Sequence, residues 1–546
     1  MSDELKHECA VAMVVLRKPP VATGDFGGTK LSLLLEKQHN RGQDGAGAAI
    51  LSANPEPGDE PYWIAKSASS APLADVLGAI GKRNVSRERI FLGHLRYATF
   101  GKNEEKFCHP FVHKSSELAH TLLLAGNFNL TNAAELFDSY RRKGEFPTSR
   151  ADGYLITELV AHELANGKSL ADSISSALAE ADGAWTLCGM TGNGWAFATR
   201  DPHGIRPGFY YMDDDVVAVA SERPAIQAAF DVSPEAVKEL PRGEALIVSP
   251  DGEVVMSELC SPKPQQRACV FERIYFSRAN DADIHRERKA LGAALVPQIL
   301  EAAGSPLEDI FFSYIPNSAR IAFHGLLERL FDEQGKIRFG EIAVKDAKFR
   351  TFIADAAARR EFYKHVYDVT YGLVRPGLDT LVVLDDSIVR GNTMKNAILP
   401  MLDRLGPKRI IVASSAPPIR YPDCYGIDMS TLGELVAFRA LVNLLGEDAE
   451  QELWRACASG ERNPLAKLYS MFSEADYSAE IARLLTPSGM KAKVKVVYQT
   501  MGSLHAACPG SSGDWYFTGD YPTPGGYKVL RKALSNYLAR SSERSY

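Results

Sequence analysis

The chain has 546 residues, too many for one ordinary hydrophobic core, and at roughly 150 residues per domain it should hold two large domains or three modest ones. Its residues are 45% hydrophobic and 24% charged, which excludes a disordered chain, and a net charge of −6 with scattered Lys and Arg gives no basic face for nucleic acid. No apolar run reaches the ~18 residues that span a bilayer, and 1–8 is charged rather than apolar, so the expectation is a cytoplasmic protein with no membrane or nucleic-acid partner.

In chain order, short apolar runs between Gly- and Asn-rich turns predict strands at Cys9–Leu16, Ile90–Thr99, Thr121–Asn129, Gly183–Met190, Trp195–Thr199, Val216–Ala220 and Ala245–Val248. So many strands imply stacked sheets, and three- and four-residue apolar spacing predicts helices at Ala151–Ala165 and Leu170–Glu180. The polar, proline-bearing stretch Ser261–Gln266 marks a boundary. Beyond it a strand at Leu381–Leu384, a helix over Met394–Leu405 stopped by Gly406 and Pro407, and a strand at Arg409–Ser414 make a βαβ unit of a parallel sheet. Thr431 and Glu434 have capping-box spacing ahead of a helix ended by Gly446, and Glu447–Thr486 reads as helical without a functional signal.

The eight cysteines, Cys9, Cys108, Cys188, Cys260, Cys269, Cys424, Cys457 and Cys508, never form a C-x-x-C pair. That argues against a zinc knuckle or a disulfide framework and leaves reduced thiols, one of them a candidate nucleophile.

The sharpest local signal is the apolar run Val382-Val383-Leu384 entering Asp385 and Asp386, then Ser387, Ile388, Val389, Arg390, Gly391, Asn392 and Thr393 at a helix start. Helix N-terminal N–H groups and the Ser387 and Thr393 hydroxyls suit a 5′-phosphate, while the carboxylates suit ribose hydroxyls or magnesium. Adjacent aspartates ending a buried strand repel one another unless a cation or hydroxyls compensate.

This stretch resembles the PRPP-binding loop of type I phosphoribosyltransferases, in wording nearest to the glutamine PRPP amidotransferase family. Cys269–Arg278, Ser415–Arg420 and Tyr425–Asp428 resemble further landmarks of that domain. The resemblance implies a basic loop over the pyrophosphate that includes Lys345 and Arg350, next to Thr351 and Phe352. It also implies a magnesium site of Asp385 and Asp386, to which Ser318 would supply the hydroxyl that the family carries near Ala319.

In the first half, Gln38–Gly47, Gly93–Thr99, Asp201–Pro207 and Ser221-Glu222 resemble the N-terminal-nucleophile glutaminase domain of the same family. The resemblance implies that Met1–Glu8 is removed and that Cys9 becomes the mature N-terminus, its α-amino group acting as base for its own thiol. Arg96 should take the glutamine carboxylate and Asp152 the α-ammonium. The family's His-Asn-Gly-Asn-Leu oxyanion motif is here Gly126-Asn127-Phe128-Asn129-Leu130, so Asn127 and the Phe128 N–H are the candidate donors. Phe128 in place of glycine implies a compensating backbone, with Gly126 supplying flexibility, or a weakened glutaminase.

The implied fold is an α+β N-terminal-nucleophile hydrolase domain, an αββα sandwich, over 9–258, then an α/β type I phosphoribosyltransferase domain with a parallel sheet over 267–500, and a C-terminal extension, 501–546. The implied reaction makes 5-phosphoribosylamine, glutamate and pyrophosphate from PRPP, glutamine and water, the first step of purine synthesis. It brings Mg²⁺, a homo-oligomer of tetramer type and inhibition by purine nucleotides. Some family members hold an iron–sulfur cluster on four cysteines; Phe517–Pro522 matches the family here, but 510–516 has no cysteine, so no cluster is expected. The alternatives are an ammonia-dependent transferase with an impaired glutaminase and a PRPP-sensing regulatory protein.

Overall fold

In β1 (Ala10–Leu16), Val11, Met13 and Val15 face one layer while Ala10, Ala12 and Val14 face another, and all are buried, as in a strand covered on both sides. The computed structural model describes residues 8–18, 25–52, 55–83, 85–97, 103–345, 367–541, 543 and 545. Among these, β1 is followed by β2 (Gly45–Leu51), β3 (Tyr62–Ser67), β4 (Ile90–Arg96), β5 (Phe111–His113), β6 (Leu122–Leu130), β7 (Gly183–Thr191), β8 (Ala196–Arg200), β9 (Phe209–Met212), β10 (Val216–Ala220), β11 (Lys238–Glu239), β12 (Glu244–Val248) and β13 (Val254–Glu258). They form two antiparallel sheets, ordered β11-β9-β10-β1-β4-β2-β3 and β13-β12-β8-β7-β6-β5.

The sheets meet through a dry layer that includes Val11, Met13, Leu92, Leu123, Cys188 and Leu246. Helices α1 (Phe26–Lys37), α2 (Pro72–Gly81), α3 (Ala133–Arg142), α4 (Asp152–Ala165), α5 (Leu170–Leu178) and α6 (Arg223–Phe230) cover the outsides. The first, second and sixth lie on the first sheet and the other three on the second, which gives four layers, αββα. The sequence reading missed β2, β3, β5, β9, β11 and β13. In β2 the run Gly-Ala-Gly-Ala-Ala carries no strand-forming side chain before Ile50, and Gly47 is needed for space, since a Cβ there would lie 1.8 Å from the His109 carbonyl oxygen.

The second half builds a five-stranded parallel sheet. Its strands come from β14 (Ile310–Tyr314), β15 (Arg338–Phe339), β16 (Ala343–Lys345), β17 (Tyr367–Val369), β18 (Thr380–Asp385), β19 (Arg409–Ser414) and β20 (Lys493–Tyr498), in the order β15-β14-β18-β19-β20, while β16 and β17 pair with each other. Leu381 and Val383 face one core and Val382 and Leu384 the other, where α7 (Val296–Ala303) and α8 (Arg320–Gln334) pack. Such a sheet presents ligands at the carboxyl ends of its strands, here Ile315–Ser318 after β14 and Asp386–Ser387 after β18.

Two local expectations need correction. The helix expected over Met394–Leu405 is a wide π-type turn at Met394–Ile398 followed by a short α segment, Leu399–Asp403. Pro400 inside it has no N–H for the regular ladder. The capping box of Thr431 and Glu434 does not form: Thr431 makes no side-chain cap, and the Glu434 carboxylate is taken instead by Arg390 Nε at 2.8 Å. The segment 501–546 is no appendage, because Leu504, Trp515, Tyr516, Leu530 and Leu534 belong to the core of the second half.

Candidate active sites

Cys9 stands at the head of β1, where the Tyr97 N–H donates to its Sγ at 3.3 Å. It lines a cavity of about 30 Å³, room for roughly two waters, with Arg96, Tyr97, Phe107, His109, Gly126, Phe128 and Asp152. The expected nucleophile, carboxylate binder, ammonium binder and oxyanion strand therefore converge. Arg96 ends β4 with its guanidinium 5.8 Å from the Phe107 ring centroid. Asp152 opens α4 and accepts from the Gly153 N–H at 2.9 Å; burial pushes its carboxyl up to about 6, against the pull of that N–H and of Arg96.

The thiol itself is not poised. Burial pushes it up to about 11, and the Tyr97 N–H and Arg96 only partly oppose this. Because Cys9 is still joined to Glu8, its nitrogen is an amide without basicity. Residues 1–7 lie outside the described residues, but Glu8 is buried and anchored. Its carboxylate pairs with Arg206 Nη1 and accepts from Asn127 Nδ2 at 3.4 Å, so the residue before the expected nucleophile occupies one expected oxyanion donor. Sequence reasoning gave Glu8 no role, and no motif marks it.

Asn127 and Phe128 sit in regular β6, opposite Thr186 and Trp185. The expectation of a special backbone supplied by Gly126 is overturned: neither Gly126 nor Phe128 has a positive φ. Gly126 is there for space, since a Cβ would lie 2.5 Å from Leu187 Cδ2. Strand residues two apart point their N–H groups to the same edge, so the Phe128 N–H leaves β6 on the side of the Gly126 N–H, which is the edge away from β7. The donor geometry thus needs no glycine at 128.

The second site is a cavity of about 800 Å³ at the carboxyl end of the parallel sheet, lined by Ile315–Ser318, Asp385–Gly391 and Thr393. Burial, then mutual repulsion, raises the Asp385 carboxyl well above its ordinary range; burial also raises Asp386, which the hydroxyls of Ser318 and Ser387 oppose. Both hydroxyls donate to Asp386, that of Ser387 at 2.7 Å. Adjacent carboxyls whose charge is so disfavoured, with the Ser318 hydroxyl beside them in the cavity lining, are a donor set that fits a hard dication. Gly391 has φ +79, and a Cβ there would meet Leu485, so the Ser387–Thr393 turn rests on the helix Glu474–Leu485 that carried no sequence signal. Asn392 is exposed on the same turn. Arg390 lines the cavity, but its guanidinium donates to Glu434 and to the Asp428 carbonyl at 3.0 Å. Lys345 ends β16, and Arg350, Thr351 and Phe352 lie outside the described residues.

A buried ion network joins the two sites. Arg41, fully buried, donates from Nε to Glu222 at 2.6 Å and from Nη2 to Glu272 at 2.6 Å. Ser277 Oγ donates to Glu272 at 2.6 Å, and Asn40 Nδ2 donates to Glu222 at 2.9 Å. Ser277 and Asn40 both line the large cavity, as do His39 and Gln43 from the first half. On the other side, Arg206 spans from Glu8 to the Tyr425 carbonyl, and Gly426 lets it approach, since a Cβ there would lie 3.0 Å from Arg206 Nη2. Arg41, Arg206, Glu222 and Glu272 all lie in family-like motifs of the sequence, but that they face one another across the boundary is visible only in the fold.

A glutamine amidotransferase domain family matches residues 97–228. The amidophosphoribosyltransferase of Pseudomonas aeruginosa is 30% identical over 421 residues, covering 73% of this chain and 78% of that one. That of Bacillus subtilis is 33% identical over 356 residues, covering 63% of this chain and 69% of that one. The chain belongs to the amidophosphoribosyltransferase family. The solved B. subtilis glutamine PRPP amidotransferase, in complex with ADP and GMP, superposes with a TM-score of 0.69 at 25% identity, over 94% of this chain and 97% of that one. The αββα half and the parallel-sheet half are therefore the two expected domains of an amidophosphoribosyltransferase. An iron–sulfur cluster, which some amidophosphoribosyltransferases carry, does not fit the residues here. Cys269 Sγ meets Tyr516 Oη at 3.4 Å, Trp515 fills the core beside it, and no three or more His, Cys, Asp or Glu side chains converge as a metal site among the described residues.

Proposed function

We propose that this chain makes 5-phosphoribosylamine, glutamate and pyrophosphate from PRPP, glutamine and water, the first step of de novo purine biosynthesis. The observation that carries the reading is the pairing of a small Cys9–Arg96–Asp152 cavity with a large Asp385–Asp386 cavity through the buried Arg41 network.

Removal of the residues through Glu8 turns the Cys9 nitrogen into an amine with a pKa near ~7.7, able to take the thiol proton at neutral pH. Arg96 holds the glutamine carboxylate and Asp152 its ammonium, which brings the side-chain amide to Sγ. Attack forms a tetrahedral oxyanion facing Asn127 Nδ2, released from Glu8, and the Phe128 N–H; losing one such donor costs on the order of 10²–10³ in rate. The amine returns its proton to the leaving nitrogen, ammonia departs, and water hydrolyses the glutamyl thioester. Ammonia then reaches the PRPP cavity within the protein, past Ser277 and Asn40, rather than through bulk water.

At the second site the 5′-phosphate lies on the Ser387–Thr393 turn, and Lys345 and Arg350 belong to the basic loop over the pyrophosphate. Asp385, Asp386 and Ser318 would hold magnesium, which when bound neutralises charge on the departing pyrophosphate. A cytoplasmic homo-oligomer inhibited by purine nucleotides completes the proposal; the B. subtilis relative solved with ADP and GMP supports the last point.

The test is magnesium-dependent pyrophosphate release from PRPP with glutamine or with ammonium as nitrogen donor. Turnover with both is expected. Turnover with ammonium alone would replace the reading with an ammonia-dependent transferase, and none with either would overturn it.

A further inference from the structure

The open edge of β6 is held by imidazoles where a strand would otherwise be. The pairing of β5 to β6 ends at Phe111 opposite Leu124, so Gly126, next to the oxyanion donors, has no strand beside it on that edge among the described residues. Instead His94 Nε2 lies 3.1 Å from the Gly126 carbonyl oxygen, and the Gly126 N–H donates to His109 Nδ1 at 3.3 Å. The two rings stack, with centroids 4.0 Å apart and planes within 8°.

We propose that His94 and His109 are positioning residues that clamp the Gly126 peptide from both ends and thereby hold Asn127 and the Phe128 N–H at the oxyanion of the glutaminase reaction. The inference deepens, and rests on, the glutaminase reading of the Cys9 cavity.

The hydrogen bonds assign the tautomers. A ring that gives a proton to the Gly126 carbonyl through Nε2 and a ring that accepts at Nδ1 are both neutral with the proton on Nε2, and His94 Nδ1 is accordingly left without a partner. Burial, joined by the nearby Lys66 and Arg96, pushes His94 down to about 3 and His109 well below the usual imidazole range, so a face-to-face pair survives without repulsion.

His109 is itself fixed from several sides. Gly47 lets β2 pass against its carbonyl, and Phe111 and Phe128 pack around its ring at 4.9 and 5.6 Å. A Cβ at Gly153 would lie 3.2 Å from His109 Cε1, so the same imidazole touches the first turn of α4, beside Asp152. It thus relates the oxyanion strand to the ammonium-binding carboxylate across the Cys9 cavity that it lines. Donors that drift by about 1 Å cost on the order of 10²-fold in rate with little change in ground-state binding.

The experiment compares His109→Leu, His109→Asn and His109→Gln in glutaminase kinetics on the full-length protein, with the ammonium-driven reaction as a measure of folding. Asn can place Oδ1 where Nδ1 accepts; Leu cannot, and Gln reaches toward Nε2. We expect Leu and Gln to lower kcat for glutamine about tenfold to a hundredfold with KM within about threefold, and Asn to recover most of it. Equal activities of the three variants, a loss confined to KM, or Asn no better than Gln would overturn the clamp. Should the Leu variant fail to fold, the Asn and Gln pair decides. Failure of the unsubstituted protein to hydrolyse glutamine would instead remove the glutaminase reading on which the clamp rests.

Discussion

The two cavities differ by more than an order of magnitude in volume, about 30 Å³ around Cys9 against about 800 Å³ beside Asp385 and Asp386. The small one is lined by residues of the first half alone, with aromatic rings packed round a thiol. The large one has room for a bulky polyanion, and it borrows His39, Asn40 and Gln43 from the other domain. The glutaminase site is thus a property of one fold, whereas the transferase site belongs to the junction of two.

The most direct way to break this contrast is to remove each site's reacting group. Cys9→Ala should lower glutamine-driven pyrophosphate release at least about 10³-fold and leave ammonium-driven release unchanged. Asp386→Asn should lower both by about 10²-fold, because the paired carboxyls serve the step common to both donors. A Cys9 variant that loses the ammonium reaction as well, or an Asp386 variant that loses only the glutamine reaction, would mean that the sites are not separable as described.

The same contrast decided what could be read from the sequence. Asp385–Thr393 were legible because strand end, carboxylates and turn are contiguous, so local chemistry betrays the site. The Cys9 cavity draws on positions from 9 to 152, and only motif resemblance gathered Arg96, Asn127 and Asp152; nothing local singled out His94 or His109. The expected strands such as Val216–Ala220 and Arg409–Ser414 formed, while glycine- and alanine-rich β2 was missed because its place is set by what packs on it. Glu434 was read as a cap from its spacing, but a carboxylate in reach of a buried-side guanidinium goes to the stronger partner. The pairing of Arg41 with Glu272 is tertiary and spans 231 positions, beyond any periodicity.

That pairing is where the comparison can be sharpened. Burial works to raise the Glu272 carboxyl, but Arg41, aided by other donors, holds it down to about 2, so it stays ionised against a fully buried guanidinium. Breaking a buried pair by neutralising one partner costs about 3–5 kcal/mol. Glu272→Gln should therefore lower stability in urea by that order, and in the surviving folded protein glutamine hydrolysis should continue while less of the ammonia reaches PRPP. Unchanged stability would mean that the network is not what joins the halves.

The smallest effect separates ligand binding from folding at a single carboxyl. Burial pushes Asp152 up to about 6, so below that pH it is protonated and no longer holds a substrate ammonium. KM for glutamine should be flat above about pH 6 and rise towards about tenfold per unit below it. Stability should move the other way. A carboxyl whose folded pKa exceeds its unfolded value near ~3.9 binds its proton more tightly when folded. Its contribution is present in full below the unfolded value and is lost as pH rises through about 6. Asp152→Asn should remove this pH dependence of stability while raising KM above about pH 6, and a wild-type KM that stays flat from pH 7 to 5 would show that another group receives the ammonium.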